Sequence, residues 1–251
     1  MKRVLLAFLA IPLLCGWPSM LGGNGTGGGG GGGGGGAFTF VASASGAADS
    51  AGTTVSTSST LNVATGDLLI AVVTFEDDDS TTTVSITDGG SNSLTFDSGD
   101  DLRDGTFAIN VHPLYRLSGV ANATATFTAT LSASRSWKRI VVMQYRPGSG
   151  ETVTKDVSGT RENSGTGTSL ASGSFSTTGT DGVVCGLSGI YTTPTFSSAA
   201  IGGVSADQTK QQGGAYAWCR IVTAGLTTQT ATVTSSSSSI WAATVLAFKS
   251  E

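Results

Sequence analysis

The chain reads as all-β: an antiparallel β-sandwich, jelly-roll or Ig-like, built from two sequence-related halves behind a signal-like segment and a polyglycine tether. An internal repeat carries the two halves. The first copy runs Gly66-Asp67-Leu68-Leu69-Ile70-Ala71-Val72-Val73, then Thr124-Ala125-Thr126-Phe127-Thr128 and Trp137-Lys138-Arg139-Ile140-Val141-Val142. The second runs Asp181-Gly182-Val183-Val184-Cys185-Gly186-Leu187, then Thr230-Ala231-Thr232-Val233-Thr234 and Trp241-Ala242-Ala243-Thr244-Val245-Leu246. A period of about a hundred residues is too long for solenoid units and suits duplicated sandwich halves or domains. Composition carries the class. Only 12% of the 251 residues are charged, and Thr, Ser and Gly are abundant. Thr packs well on a pleated surface, and no long run of Ala, Glu, Lys and Leu offers a helix.

Residues 1–23 read as a signal peptide or N-terminal anchor. Lys2 and Arg3 supply the positive start, and Val4 to Cys15 is an apolar run too short to span a bilayer comfortably. Cys15 raises lipidation as an alternative to cleavage. Residues 24–36 form a glycine-rich linker ending in ten consecutive glycines, Gly27 to Gly36. Such a tract buries nothing and loses most entropy on ordering, so it reads as a flexible tether spanning roughly 20 Å.

The first repeat occupies residues 37–148. Phe38 to Ala42 opens it as a strand. Asp67 to Phe75 is nearly all apolar, as expected of a central strand buried on both faces. Thr83 to Thr87 alternates, and Asp88-Gly89-Gly90 is turn chemistry before Leu94. Phe107 to Leu117 carries Pro113, which predicts a break, bulge or edge. Thr124 to Leu131 places Ala125, Phe127 and Ala129 on one face, and Trp137 to Tyr145 closes the copy. The second repeat, residues 149–251, starts with a polar connector through Thr168 and then repeats the order.

The strand phrases Gly66 to Ala71, Leu114-Tyr115-Arg116-Leu117, Trp137 to Arg146 and Trp241 to Lys249 together resemble a β-sandwich module. Similar modules occur in bacterial secreted or surface proteins and phage tail-associated proteins. The resemblance implies an adhesive, accessory or structural role and carries over no functional residue.

Chemistry is sparse. The single histidine, His112, precedes Pro113 with no G-x-S-x-G elbow anywhere, so the chain is expected to be no enzyme. The acidic loops carry Asp77, Asp79, Asp100 and Asp101, the first candidates for calcium, although neither loop has EF-hand spacing. Solvated loop acids are the plainer expectation. Trp137 and Trp241 occupy equivalent positions, which argues for a shared packing role. Tyr191, Tyr216 and Trp218 belong to the second copy alone and are the ligand-contact candidates, because flat rings stack on sugar faces. Cys185 and Cys219 either form a disulfide, worth on the order of 3 kcal/mol, or stay as two buried thiols.

The formal charge of −4 becomes about −6 without Lys2 and Arg3, so no nucleic-acid footprint is present. Membrane contact is expected only through the N-terminal segment, if that is retained or lipidated. The functional expectation is a secreted or surface module binding a cell-surface glycan or protein. The alternative is a self-associating structural subunit of an extracellular assembly or virion appendage.

Overall fold

The structure, a computed structural model, describes residues 38–76, 82–90, 92–96, 102–103 and 109–251. The signal-like segment, the glycine linker and the calcium candidates Asp77, Asp79, Asp100 and Asp101 lie outside the described residues. The described chain is all-β, with no helix, and its antiparallel sheets curl into half-barrels.

The first half supplies β1 (Thr39–Ala48), β2 (Gly52–Ser56), β3 (Leu61–Val63), β4 (Leu68–Glu76), β5 (Val84–Thr87) and β6 (Ser93–Phe96). It continues with β7 (Leu102–Arg103), β8 (Ile109–Leu117), β9 (Asn122–Ala125), β10 (Thr128–Arg135) and β11 (Lys138–Arg146). These build a sheet in the order β1-β11-β4-β8-β6-β5-β10-β2, with β7 also on β8 and β3 pairing β9 separately. The sheet curls until its two edges meet: the Ser58 N–H donates to Ser45 O at 2.9 Å. A Cβ at Gly46 would fall 1.8 Å from Ser56 O, so only glycine lets the edges approach this closely.

The second half supplies β12 (Val153–Lys155), β13 (Ser158–Gly159), β14 (Asn163–Ala171), β15 (Phe175–Ser176) and β16 (Gly182–Ile190). Then come β17 (Phe196–Ile201), β18 (Val204–Ser205), β19 (Gln208–Gln212), β20 (Ala215–Val222) and the long β21 (Ala231–Ser250). Their sheet runs β18-β17-β21-β16-β20-β19, with β12 and β14 also on β21, while β13 pairs β15 apart from it.

Side-chain alternation divides the interior into three cores. Leu68, Ile70 and Val72 of β4 meet Val183, Cys185 and Leu187 of β16 in a core shared by both sheets. The opposite face of β4, with Leu69, Ala71, Val73 and Phe75, fills the first half-barrel around Phe127 and Ile86. The opposite face of β16 joins Trp218, Tyr216 and Val233 in the second. Two-sided burial explains why Leu68 to Phe75 shows no polar alternation.

The register of the central strands corresponds between the sheets. Val72, five residues after Asp67, pairs with Val141, four after Trp137. Gly186, five after Asp181, pairs with Val245, four after Trp241.

Two expectations change. Pro113 does not break its strand: β8 is continuous, pairing Val72 with Pro113 on one side. On the other side β7 pairs Val111 and β6 pairs Leu114, so the residue without an N–H falls where the neighbour changes. The tryptophans do not share an environment. Trp241 lies inside β21 and is buried, whereas Trp137 stands in the corner before β11 and is half-buried.

Candidate functional site

Trp137 is one of three described non-glycine residues with positive φ, at 51°. For a bulky side chain this left-handed backbone is strained and persists only where neighbours hold it. Those neighbours come from both halves. Below the indole, Arg139 Cζ sits 4.6 Å from the ring centroid, a cation–π contact worth about 1 kcal/mol. Arg139 is itself fixed. Its Nη2 donates to Asp49 Oδ1 at 2.6 Å and its Nη1 to Lys138 O at 2.9 Å. Lys138 is buried and donates to Ser50 O at 2.7 Å. Burial and the Arg139 charge lower its pKa, partly offset by Asp49.

The second half contributes the turn Gly213-Gly214. A Cβ at Gly214 would fall 2.7 Å from the Trp137 ring and 2.0 Å from Ile190 O; one at Gly213 (φ 56°) would meet Arg139 Nε at 2.6 Å. Two glycines are therefore required where the first sheet's corner presses on the second. Beside them Tyr191 leaves β16, 44% exposed, with its ring centroid 6.2 Å from that of Trp137. Its hydroxyl donates to Glu76 Oε1 at 3.0 Å. That bond and the Glu76 charge raise the phenol pKa.

The result is a partly exposed pair of aromatic rings bordered by two carboxylates, Asp49 and Glu76. Flat rings of this kind take up the apolar face of a sugar, and carboxylate oxygens accept from its hydroxyls. Of the three sequence candidates only Tyr191 belongs here. Tyr216 and Trp218 are buried: on alternating β20 they face the second half-barrel, while Ala215, Ala217 and Cys219 face the shared core. Tyr216 stacks between Phe196 (4.4 Å) and Trp218 (5.6 Å), and Trp218 Nε1 donates to Ala200 O. Neither ring offers a face to a ligand. Sequence reasoning assigns Trp137 a packing role, reads Glu76 as part of a solvated acidic loop and does not single out Asp49; the one local signal is a tryptophan in the short corner Ser136-Trp137.

Cys185 and Cys219 are directly opposed on β16 and β20 and form a disulfide inside the shared core. His112 is buried in β8 and stacked on Phe75 at 5.0 Å. Among the described residues no group of His, Cys, Asp and Glu side chains could hold a metal ion. At the other end of β11 an open groove of about 730 Å³ is lined by Gly66, Asp67, Leu117 and Arg146. Two of its charges are spent on each other, since Arg146 Nε and Nη2 reach Asp67 at 2.7 and 2.9 Å, while Glu151 lines it as well. Comparison with protein-family models, curated proteins and solved structures finds no match.

Proposed function

We propose that the chain is a secreted, non-catalytic binding module that takes a carbohydrate across the Trp137–Tyr191 rings. One observation carries this reading: a half-buried tryptophan held in a strained backbone beside an exposed tyrosine, with both halves spent on positioning them. Strain of this kind costs about 1–3 kcal/mol and collects at functional sites. The scaffold is read as a duplicated β-sandwich, supported by the corresponding registers of β4–β11 and β16–β21. Secretion is supported by the Cys185–Cys219 bond, which suits an oxidising compartment. A glycan array probed with the purified protein tests the reading. Retention on defined glycans, lost in Trp137→Ala and Tyr191→Ala, is expected. Absence of retention, or retention untouched by both substitutions, contradicts it.

A second reading, a structural subunit of an extracellular assembly, is favoured by β14. This strand is largely exposed and, among the described residues, pairs only with β21, so it leaves an edge open to a further strand. Sedimentation separates the two: large oligomers without glycan retention support assembly.

A further inference from the structure

Resting on that reading of the platform, we infer that its ligand is a sugar without negative charge, and that the site discriminates against carboxylated and sulfated sugars. Such discrimination lies in the rim rather than the rings. Among the described residues, the charged groups that border the rings with exposed surface are carboxylates: the Asp49 side chain is 78% exposed, and Glu76 holds Tyr191 through Oε1. The two cations that touch the platform's own residues are out of reach. The Arg139 side chain is 6% exposed and committed to Asp49, the Lys138 carbonyl and the underside of Trp137. Lys138 is 1% exposed and committed to Ser50 O.

An acidic sugar is best recognised by an accessible Arg fork or Lys charge that meets its carboxylate or sulfate. Here an anion would instead meet the Glu76 carboxylate, bonded to the neutral Tyr191 hydroxyl, and the outer side of an Asp49 already paired with Arg139, and like charges across an interface are costly. Hydroxyls of a neutral sugar donate to those same oxygens while its apolar face covers the rings. Glu76 then serves twice, orienting Tyr191 and excluding anions.

Titration of the full-length protein with matched pairs tests this: galactose against galacturonate oligosaccharides, and N-acetylglucosamine oligosaccharides against their 6-sulfates. The neutral member of each pair is expected to bind roughly tenfold tighter at low salt. In Glu76→Gln, which keeps an acceptor for Tyr191, that ratio narrows. In the wild-type protein, raising ionic strength from about 0.01 M to about 1 M narrows it as well, because salt screens exposed charges. Equal or tighter binding of the acidic members overturns the inference while leaving the platform intact. Binding of none of these sugars contradicts the platform reading itself, so the two failures are told apart.

Discussion

Tyr191 and Glu76 stand 115 residues apart in the chain, yet the tyrosine hydroxyl donates to the glutamate Oε1 at 3.0 Å. The bond ties the end of β4 in the first sheet to the end of β16 in the second. The two strands already share one core through Val72 and Leu187. The platform is thus a product of how the halves meet, and substitutions can separate its role from that of the interior.

Trp137 and Trp241 give the clearest contrast. Trp241→Ala empties a buried position and is expected to cost about 3–5 kcal/mol. Trp137→Ala removes a half-buried ring and is expected to cost less, while weakening sugar binding at least roughly tenfold. Urea unfolding and titration of both variants check the pair. Equal destabilisation would place Trp137 in the core after all.

Gly214 should tolerate no side chain. Its Cβ would meet backbone oxygens of Ile190 and Thr192 at 2.0 and 2.5 Å, so Gly214→Ala is expected to lose about 3 kcal/mol or more. Gly203→Ala, with φ 75° but nothing within 4 Å, should lose only about 1 kcal/mol. Chemical denaturation of the two variants measures the difference.

The groove end of β11 predicts an acid transition. Burial pushes the Asp67 carboxyl up, but hydrogen bonds from Arg146, the Ala64 N–H and Gln144, with the Arg146 charge, outweigh it and hold its pKa below 3.8. A carboxylate lowered in this way stabilises the fold above its unfolded pKa and loses that contribution as pH falls through the folded value. Stability should be level above about pH 5 and decline below 3.8. Asp67→Asn should lose roughly 2 kcal/mol at neutral pH and show a shallower acid decline. Asp88, where burial is likewise outweighed by bonds from Asn92, Gly90 and Asn122, sustains the remainder. Superimposable acid curves for variant and wild type would contradict this account of Asp67.

The disulfide closes a separation of 34 residues inside the shared core. The double substitution Cys185→Ala, Cys219→Ala should lower stability by about 2–4 kcal/mol in urea unfolding. Because both sulfurs are buried, reductant should open the bond only under unfolding conditions. Rapid thiol labelling of the native protein after mild reduction would contradict this.

The fold was legible where local pattern decides it. Leu68 to Phe75 is too apolar for a strand with a wet face, and it proved buried on both. Ala125, Phe127 and Ala129 fell on one face as their alternation requires, although β9 ends before Phe127 and β10 starts after it. The site was less legible because long-range contacts decide it. Trp137 and Trp241 look equivalent in sequence, yet Trp137 stands in a positive-φ corner before β11, pressed by Gly213-Gly214 from the other half, while Trp241 lies inside β21. Tyr216 and Trp218 are sequence candidates because they belong to the second copy alone, yet their alternation with Ala215 and Ala217, which pack in the shared core, turns both rings into the second half-barrel. Asp49, Glu76, Trp137 and Tyr191 come from four short segments with no shared spacing.

Ligand-induced NMR shifts on the protein loaded with its best neutral oligosaccharide would locate the site. The Trp137 indole and the Tyr191 ring are predicted to move, with the Trp218 indole, sealed in the second half-barrel, unchanged. Perturbation centred on the Asp67–Arg146 groove, with Trp137 and Tyr191 silent, would contradict the platform.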